Sequence, residues 1–265
     1  MAERLEDFSS ARQRVVERLE DLSFARLVPS ILTLLGLCAG TTAIRFAVGH
    51  DWHHAVAAVI AAMVFDMLDG RAARMFGADT RFGAQLDSLA DLVSFGVAPG
   101  VVIFLWTLKD IGDAGWIAAL IFCACSAIRL ARFNIQSARD EGATLANPYF
   151  TGLPMPAAAF LAVLPMLLSF EFGDKLVRDP GFASVVMVLA SVLMVSRLPT
   201  PSIKYMRLPK RYRTLLFVAA AAFTALLINW PWTTLTGGFL IYAASVPVNL
   251  LRKSEKPEQA LPPAA

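Results

Sequence analysis

Apolar segments long enough to cross a lipid bilayer recur along almost the whole chain. A transmembrane helix needs about 20 mostly apolar residues, because the hydrocarbon core of a bilayer is about 30 Å thick. Of the 265 residues, 57% are hydrophobic and 17% are charged, and the charged residues cluster at the segment boundaries. The eight candidate spans lie at residues 28–48, 54–75, 87–108, 115–134, 154–170, 182–196, 213–229 and 235–251. The predicted fold is therefore all-α, a polytopic membrane helix bundle of about eight transmembrane helices.

The two ends of the chain depart from this pattern. Residues 1–26 are rich in charge, and their apolar side chains fall on one helical stripe: Leu5, Phe8, Val15, Leu19 and Leu22. They predict an amphipathic helix that lies on the cytoplasmic leaflet, and the alternative is a solvated helical tail that packs on a partner loop. Residues 253–265 are rich in Pro and Ala and are predicted to form a disordered cytoplasmic tail. Residues 27–252 between them are the predicted transmembrane domain.

The placement of positive charge predicts the orientation. If the spans alternate in direction, 20 of the 24 Lys and Arg residues fall on the side of the N-terminus. The other side holds Arg45, Lys109, Lys175 and Arg178. Because Lys and Arg are enriched in cytoplasmic loops, both termini are predicted to be cytoplasmic in an integral, multi-pass membrane protein. The formal net charge of +3 is too small to indicate a nucleic-acid partner.

Four aspartates interrupt the second and third spans. Asp66 and Asp69 come near the end of one, and Asp87 and Asp91 come at the start of the next. Spacings of three and four residues place each pair on one face of its helix. The same two faces carry four further residues, Gly70, Ala73, Arg74 and Gly83. Since a short cytoplasmic turn joins the two segments, we expect antiparallel helices whose acidic faces converge. Carboxylates within a bilayer are costly and usually functional.

Two divalent cations are expected to neutralise the four carboxylates. Carboxylates in a low-dielectric site cannot all stay ionised without counter-charge. Hard oxygen ligands, with no His or Cys among them, favour Mg²⁺ or Mn²⁺, and Mg²⁺ held in this way commonly also binds substrate phosphates. Arg74 is placed to complete a pyrophosphate clamp. Two alternatives are Asp–Arg pairs that only stabilise helix packing, and a proton or cation pathway, which would not require the glycines or Ala73.

The acidic run resembles the signature of the CDP-alcohol phosphatidyltransferase family. It reads Asp66-x-x-Asp69-Gly70-x-x-Ala73-Arg74, eight residues, Gly83-x-x-x-Asp87-x-x-x-Asp91, and every fixed position matches. The resemblance implies a membrane enzyme that binds CDP-diacylglycerol at a dinuclear metal site and releases CMP. By position, it implies metal ligands at Asp66, Asp69, Asp87 and Asp91, with Asp91 also the catalytic general base. It implies a CDP pocket lined by Asp69, Gly70, Ala73, Arg74 and Gly83. Residues 27–252 would then be the catalytic domain, with a six-helix core and extra C-terminal helices.

Further motifs are similar to the phosphatidylserine synthase branch of this family. They are Asp87-Ser-Leu-Ala-Asp91-Leu-Val-Ser94-Phe95-Gly96-Val97-Ala98-Pro99, Arg129-Leu-Ala-Arg132-Phe133-Asn134, Tyr149-Phe150-Thr151-Gly152-Leu153-Pro154-Met155-Pro156 and Ser196-Arg197-Leu198-Pro199-Thr200. The segment Val28-Pro29-Ser30-Ile-Leu-Thr33 is similar too, although this branch more often has Asn where Ser30 stands. The resemblance implies that the acceptor alcohol is L-serine.

A serine pocket is predicted around two arginines and two hydrogen-bonding side chains. Either Arg129 or Arg132 is suited to pair with the serine carboxylate, and Ser94 and Asn134 are suited to donate or accept hydrogen bonds. The alternative for the arginines is anchoring at lipid headgroups. The expected chemistry is direct displacement at the β-phosphorus of CDP-diacylglycerol, with Asp91 taking the serine proton. A covalent phosphatidyl-aspartate intermediate is the alternative.

Two other functions stay open on the sequence. One is the same chemistry on glycerol phosphate, inositol phosphate or choline, and the other is a cation-coupled transporter. The expected partners are CDP-diacylglycerol, L-serine and membrane lipids, with no nucleic acid. The sequence leaves open the preferred metal, the acyl-chain preference and the oligomeric state, a homodimer included.

Overall fold

The computed structural model of the protein describes residues 27–77, 80–140, 149–196, 199–201, 213–238 and 240. The predicted amphipathic helix at residues 1–26 and the predicted tail at residues 253–265 lie outside the described residues, as does most of the predicted span 235–251. The chain divides into two compact units, Met1–Trp106 and Thr107–Ala265.

The first unit is built from helices. They are α1 (Leu27–Val48), α2 (Trp52–Phe76), α3 (Arg81–Asp91), a π-helical segment (Leu92–Val97) and α4 (Ala98–Trp106). The side chain of Asp51 accepts a hydrogen bond from the backbone N–H of His54 and so caps the start of α2. At the other end of α2, Gly77 takes a left-handed conformation with φ +57° and donates its N–H to the carbonyl of Ala73. Local capping therefore sets both ends of α2.

Helix α3, the π-helical segment and α4 form one continuous helix from Arg81 to Trp106. Its first residues follow Thr80, whose side chain accepts a hydrogen bond from the N–H of Gly83 at 3.0 Å. The π-helical turn begins directly after Asp91 and is buried at Ser94, Phe95 and Gly96. Single π-helical turns inside α-helices are frequently found at functional sites.

Helix α1 approaches the π-helical segment closely at Gly40. A Cβ atom at this position would lie 2.6 Å from Oγ of Ser94 and 2.7 Å from its Cα. Gly36, four residues earlier, faces α2, where a Cβ would meet Cβ of Phe65 at a comfortable 3.5 Å. Small residues spaced four apart allow membrane helices to pack closely. The Gly36–Gly40 face therefore brings α1 against α2, which carries Asp66 and Asp69, and against the π-helical segment that directly follows Asp91.

The second unit consists of further helices and one short sheet. Its elements are a 3₁₀-helix (Leu108–Ile111), α5 (Asp113–Asp140), β1 (Tyr149–Thr151), α6 (Met155–Phe172), α7 (Asp174–Val177), α8 (Pro180–Val195), β2 (Pro199–Pro201), α9 (Arg213–Asn229) and helical residues 231–238. Helix α8 packs on both α5 and α6. Strands β1 and β2 are antiparallel, with Phe150 opposite Thr200.

Within the described residues, four helices are long and apolar enough to cross a membrane. They are Leu27–Val48, Arg81–Trp106, Asp113–Ser137 and Met155–Phe172, and Pro180–Val195 is a shorter apolar helix. The expectation of a helical, multi-pass membrane protein is confirmed. The number of eight spans stays a prediction. The sheet between β1 and β2 is a small addition to the expected all-α fold, and the third predicted span begins earlier than expected, at Arg81.

Candidate active site

Three aspartates from two helices meet in the first unit. Carboxylate oxygens of Asp66 and Asp69, on α2, and of Asp87, on α3, all lie within 4.8 Å of one another. Asp91, at the last position of α3, lines the same cavity and shares a hydrogen bond with Asp66. The structure thus brings together all four aspartates that the sequence spacing placed on two helix faces.

The helix ends explain why these faces meet. Because α2 ends at Phe76 and α3 begins at Arg81, the chain between them is short. Each acidic pair lies within about three turns of that connection, with Asp69 being two turns from the end of α2. Short connections make consecutive helices neighbours. The side chains on their facing sides therefore converge at this end of the hairpin.

Helix α1 contributes a hydroxyl group that sequence analysis did not single out. Oγ1 of Thr33 donates a hydrogen bond to Oδ2 of Asp69 at 2.7 Å, and both residues are buried. Thr33 and Gly36 also line the cavity. Thr33 belongs to a motif that carries the family resemblance, but its position gave no indication of a partner 36 residues away.

The charge in the cavity is of one sign. The charged side chains that line the cavity are Asp66, Asp69, Asp87 and Asp91. In the described part of the chain, Arg74 forms no ion pair with these carboxylates. Structural Asp–Arg pairing is therefore not what holds the cluster together. Convergent carboxylates without His or Cys are the donor set that a hard divalent cation requires.

Of the residues expected to line a CDP pocket, Asp69 lines the acidic cavity, whereas Gly70, Ala73 and Arg74 on α2 and Gly83 on α3 are not among its lining residues. A Cβ atom at Gly70 would meet Nη1 of Arg74 at 3.6 Å, an ordinary van der Waals distance. Since glycine inside a helix costs about 0.5–1 kcal/mol relative to alanine, the fold alone does not favour Gly70. Ala73 is half-buried and Arg74 is exposed. Gly83 has a local role as well, because its N–H is bonded to the capping side chain of Thr80.

The residues expected to bind serine fall into both units. Ser94 lines the acidic cavity, where its hydroxyl donates to the carbonyl of Gly36 at 3.2 Å. Arg129, Arg132 and Asn134 lie on α5 in the second unit. Nε of Arg129 donates to the carbonyl of Leu153 at 2.7 Å, and its guanidinium lies 5.6 Å from the ring centre of Phe133. Asn134 is half-buried.

Arg132 contacts the end of another helix. Its Nη1 donates to the carbonyl of Val195, the last residue of α8, at 2.9 Å. A cation that bonds to an unpaired carbonyl at a helix C-terminus is stabilising. Both arginines therefore hold backbone carbonyls within the second unit, a role that the sequence did not predict. A guanidinium has five N–H donors, and the contact with Val195 uses one donor group of Arg132.

These features define a class of protein: a multi-pass helical membrane protein with a buried carboxylate cluster suited to a hard divalent cation. The family model described as CDP-alcohol phosphatidyltransferase matches residues 26–196, and the model described as CDP-alcohol phosphatidyltransferase 2 matches residues 211–247. The chain belongs to the CDP-alcohol phosphatidyltransferase family.

Two curated relatives carry the same activity in their names. The chain is 36% identical, over 224 residues, to the CDP-diacylglycerol–serine O-phosphatidyltransferase of Mycobacterium leprae, covering 84% of this chain and 74% of the relative. It is 33% identical to the protein of the same name from Helicobacter pylori, covering 82% and 89%. A crystal structure of Mycobacterium tuberculosis phosphatidylinositol phosphate synthase with CDP-DAG bound is 26% identical, covers 66% of this chain and 87% of that one, and has a TM-score of 0.48.

Proposed function

We propose that this protein transfers the phosphatidyl group of CDP-diacylglycerol to L-serine and releases phosphatidylserine and CMP. The observation that carries the proposal is the convergence of Asp66, Asp69 and Asp87, with Asp91 in the same cavity. The complete family signature on these helices and the names of the relatives support it.

Asp66, Asp69, Asp87 and Asp91 would hold two Mg²⁺ or Mn²⁺ ions. When bound, such ions neutralise a diphosphate and the charge that develops on the leaving group. Asp69, Gly70, Ala73, Arg74 and Gly83 would line the CDP pocket. Gly70 would let the nucleotide approach the backbone, and the exposed Arg74 guanidinium would contact the diphosphate.

Asp91 would act as the general base. In direct displacement, the serine hydroxyl oxygen forms a bond to the β-phosphorus of CDP-diacylglycerol, and the bond from that phosphorus to the CMP oxygen breaks. The serine proton passes to the Asp91 carboxylate. A carboxylate positioned in this way accelerates a reaction by about 10²–10⁴-fold. The position of Asp91 in the same cavity as Asp66, Asp69 and Asp87 supports this assignment.

Arg129, Arg132, Asn134 and Ser94 would bind serine. The two guanidinium groups are the candidates for its carboxylate, because a guanidinium can pair with a carboxylate through two parallel hydrogen bonds. The excess of Lys and Arg on one side supports an active site and two termini that face the cytoplasm.

Removing Arg132 tests the serine pocket. Loss of a charge-assisted hydrogen bond costs about 1.5–3 kcal/mol, so Arg132→Ala should raise the KM for serine by about 10- to 150-fold. The KM for CDP-diacylglycerol should change little. Arg129→Ala is the companion variant. Arg132→Lys keeps the positive charge at this position. A melting curve of each variant shows whether loss of the contact with Val195 destabilises the fold. If both alanine variants keep wild-type serine kinetics, neither arginine binds the substrate.

The acceptor is tested by CMP release from CDP-diacylglycerol with purified protein and a panel of alcohols. Serine should give the highest kcat/KM, and glycerol phosphate, inositol phosphate and choline should give little CMP. Preference for another alcohol would keep the chemistry and overturn the serine assignment. Absence of metal-dependent CMP release with every alcohol would leave a cation-coupled transporter as the better explanation of the carboxylates.

A further inference from the structure

The hydroxyl of Thr33 bonds to one carboxylate oxygen of the acidic cluster from a helix that supplies no carboxylate. Its Oγ1 lies 2.7 Å from Oδ2 of Asp69 and 3.0 Å from the backbone carbonyl of Pro29. A hydroxyl has a single hydrogen to donate, and a carboxylate is a stronger acceptor than a carbonyl. The shorter contact to Asp69 therefore takes the proton. Both side chains are almost completely buried, at 6% and 5% exposure.

This bond restricts the orientation of Asp69. Rotation of a carboxylate about its terminal bond is otherwise loosely defined, because that torsion has broad minima. When Thr33 engages Oδ2, the carboxylate is held in one orientation within the cluster that Asp69 forms with Asp66 and Asp87. Partners of this kind orient the ligands of metal sites and raise metal affinity.

Packing between α1 and α2 does not depend on this hydrogen bond. Gly36, one turn further along α1, lies against Phe65 and the carbonyl of Ala62 on α2. The two helices would therefore remain in contact if the hydroxyl were lost. The hydroxyl of Thr33 orients the Asp69 carboxylate, whereas Gly36 allows the backbones of α1 and α2 to approach closely.

We propose that Thr33 is a positioning residue, which holds Asp69 in the orientation needed to bind a divalent cation. The proposal rests on the proposed function, because it assumes that the acidic cluster binds metal. Thr33 touches neither substrate nor reacting atoms in this role; it acts through Asp69. Its loss should therefore weaken metal binding even when no substrate is present.

The test compares Mn²⁺ binding to purified protein by electron paramagnetic resonance, without substrate. Thr33→Val keeps the size and shape of the side chain and removes the donor. It should raise the Kd for Mn²⁺ by about 10- to 100-fold. Thr33→Ser keeps the donor and should bind Mn²⁺ much as the wild type does. Asp69→Asn shows the effect of losing the ligand itself.

Thr41→Val is the matched control. Thr41 lies on the same helix, is exposed, and its hydroxyl contacts the carbonyls of Leu37 and Cys38. Its loss should leave Mn²⁺ binding unchanged. Melting curves in EDTA report the effect of each variant on the fold alone. If Thr33→Val does not fold, Thr33→Cys, with its weaker donor, repeats the comparison.

The outcomes distinguish the proposed metal site from the proposed positioning role of Thr33. Wild-type Mn²⁺ affinity in folded Thr33→Val would overturn the positioning role and leave the metal site intact. Equal weakening in Thr33→Val and Thr33→Ser would also overturn it, since the second variant keeps the donor. If the wild type binds no Mn²⁺, the proposed metal site fails and the positioning role fails with it.

Discussion

At the scale of single residues, Asp91 differs from the other three aspartates. Asp66, Asp69 and Asp87 approach one another within 4.8 Å, whereas Asp91 lines the cavity at the point where α3 changes into the π-helical turn. It is linked to the cluster through its hydrogen bond with Asp66. This arrangement suits a division of roles, with three carboxylates devoted to the cation and one also able to accept a proton.

Asp91→Asn should abolish turnover while metal binding weakens less. The amide keeps the shape of the side chain and cannot accept the serine proton, so kcat should fall by about 10²–10⁴-fold. Asp66, Asp69 and Asp87 would still hold metal. Steady-state CMP release and Mn²⁺ titration measure the two effects. Asp87→Asn is the control, and it should lose both turnover and metal binding. Near-normal turnover in Asp91→Asn would rule out Asp91 as the base.

Gly70→Ala should stabilise the fold and impair activity. The new Cβ would lie at van der Waals distance from Arg74, and alanine in a helix is favoured over glycine by about 0.5–1 kcal/mol. The same Cβ would occupy the surface that the nucleotide is expected to approach. Denaturation and the KM for CDP-diacylglycerol are the measurements. Gly237→Ala, in a helix where a Cβ meets nothing within 4 Å, should gain stability and keep full activity.

The residues of the site differ in how far the sequence predicts them. Aspartates in apolar helices are conspicuous because burying a carboxylate is costly, and their spacing determines the shared face. Thr33 is not conspicuous, since a hydroxyl in an apolar helix can bond to the carbonyl four residues back, here Pro29. The contact from Arg132 to Val195 spans 63 residues and depends on how α5 packs against α8.

At the scale of elements, α1 holds the acidic hairpin together. Its Gly40 allows the π-helical segment to approach, its Gly36 carbonyl accepts the hydrogen bond from Ser94, and its Thr33 bonds to Asp69. One face of α1 therefore contacts α2 and the π-helical segment that directly follows Asp91. Gly36 and Gly40 let the backbones approach, and the hydroxyl groups of Thr33 and Ser94 set how the helices are aligned.

Gly40→Ala should destabilise the protein, whereas Gly36→Ala should be tolerated. The first would place a Cβ 2.6–2.8 Å from side-chain and backbone atoms of Ser94, which must then shift. Overpacking of this kind costs roughly 1–3 kcal/mol. The second would place a Cβ 3.5 Å from Phe65. Denaturation in detergent compares the two variants. Equal stability would mean that α1 and the π-helical segment are not in close contact.

The elements themselves were predictable to different degrees. Apolar length locates α1, α5 and α6 well, because the bilayer fixes the required length. The π-helical turn at Leu92–Val97 has no sequence pattern of its own, since one extra residue per turn is accommodated by packing. Strand β2 was missed because Pro199 and Pro201 cannot donate to a sheet, which confines such a strand to a short edge.

At the scale of the whole molecule, charge supports the proposed orientation. If the predicted spans alternate in direction, 20 of the 24 Lys and Arg residues fall on the side where α2 is joined to α3. Cysteines introduced at Ala78, between α2 and α3, should react with impermeant reagents only from the cytoplasmic side. A cysteine at the exposed Asp113 should react from the opposite side. Cys38, Cys123 and Cys125 are first replaced. Labelling in the reverse sense would contradict the proposed orientation.

The lipid product made from CDP-diacylglycerol and labelled L-serine tests the central proposal most directly. Purified wild-type protein with Mn²⁺ or Mg²⁺ should give labelled phosphatidylserine and an equal amount of CMP. EDTA should stop both, and added metal should restore both, because the proposed reaction requires a divalent cation at the carboxylate cluster. Asp91→Asn should give neither product at a comparable rate. CMP release without label in lipid, or labelled phosphatidylserine formed at full rate in EDTA, would contradict the proposed function.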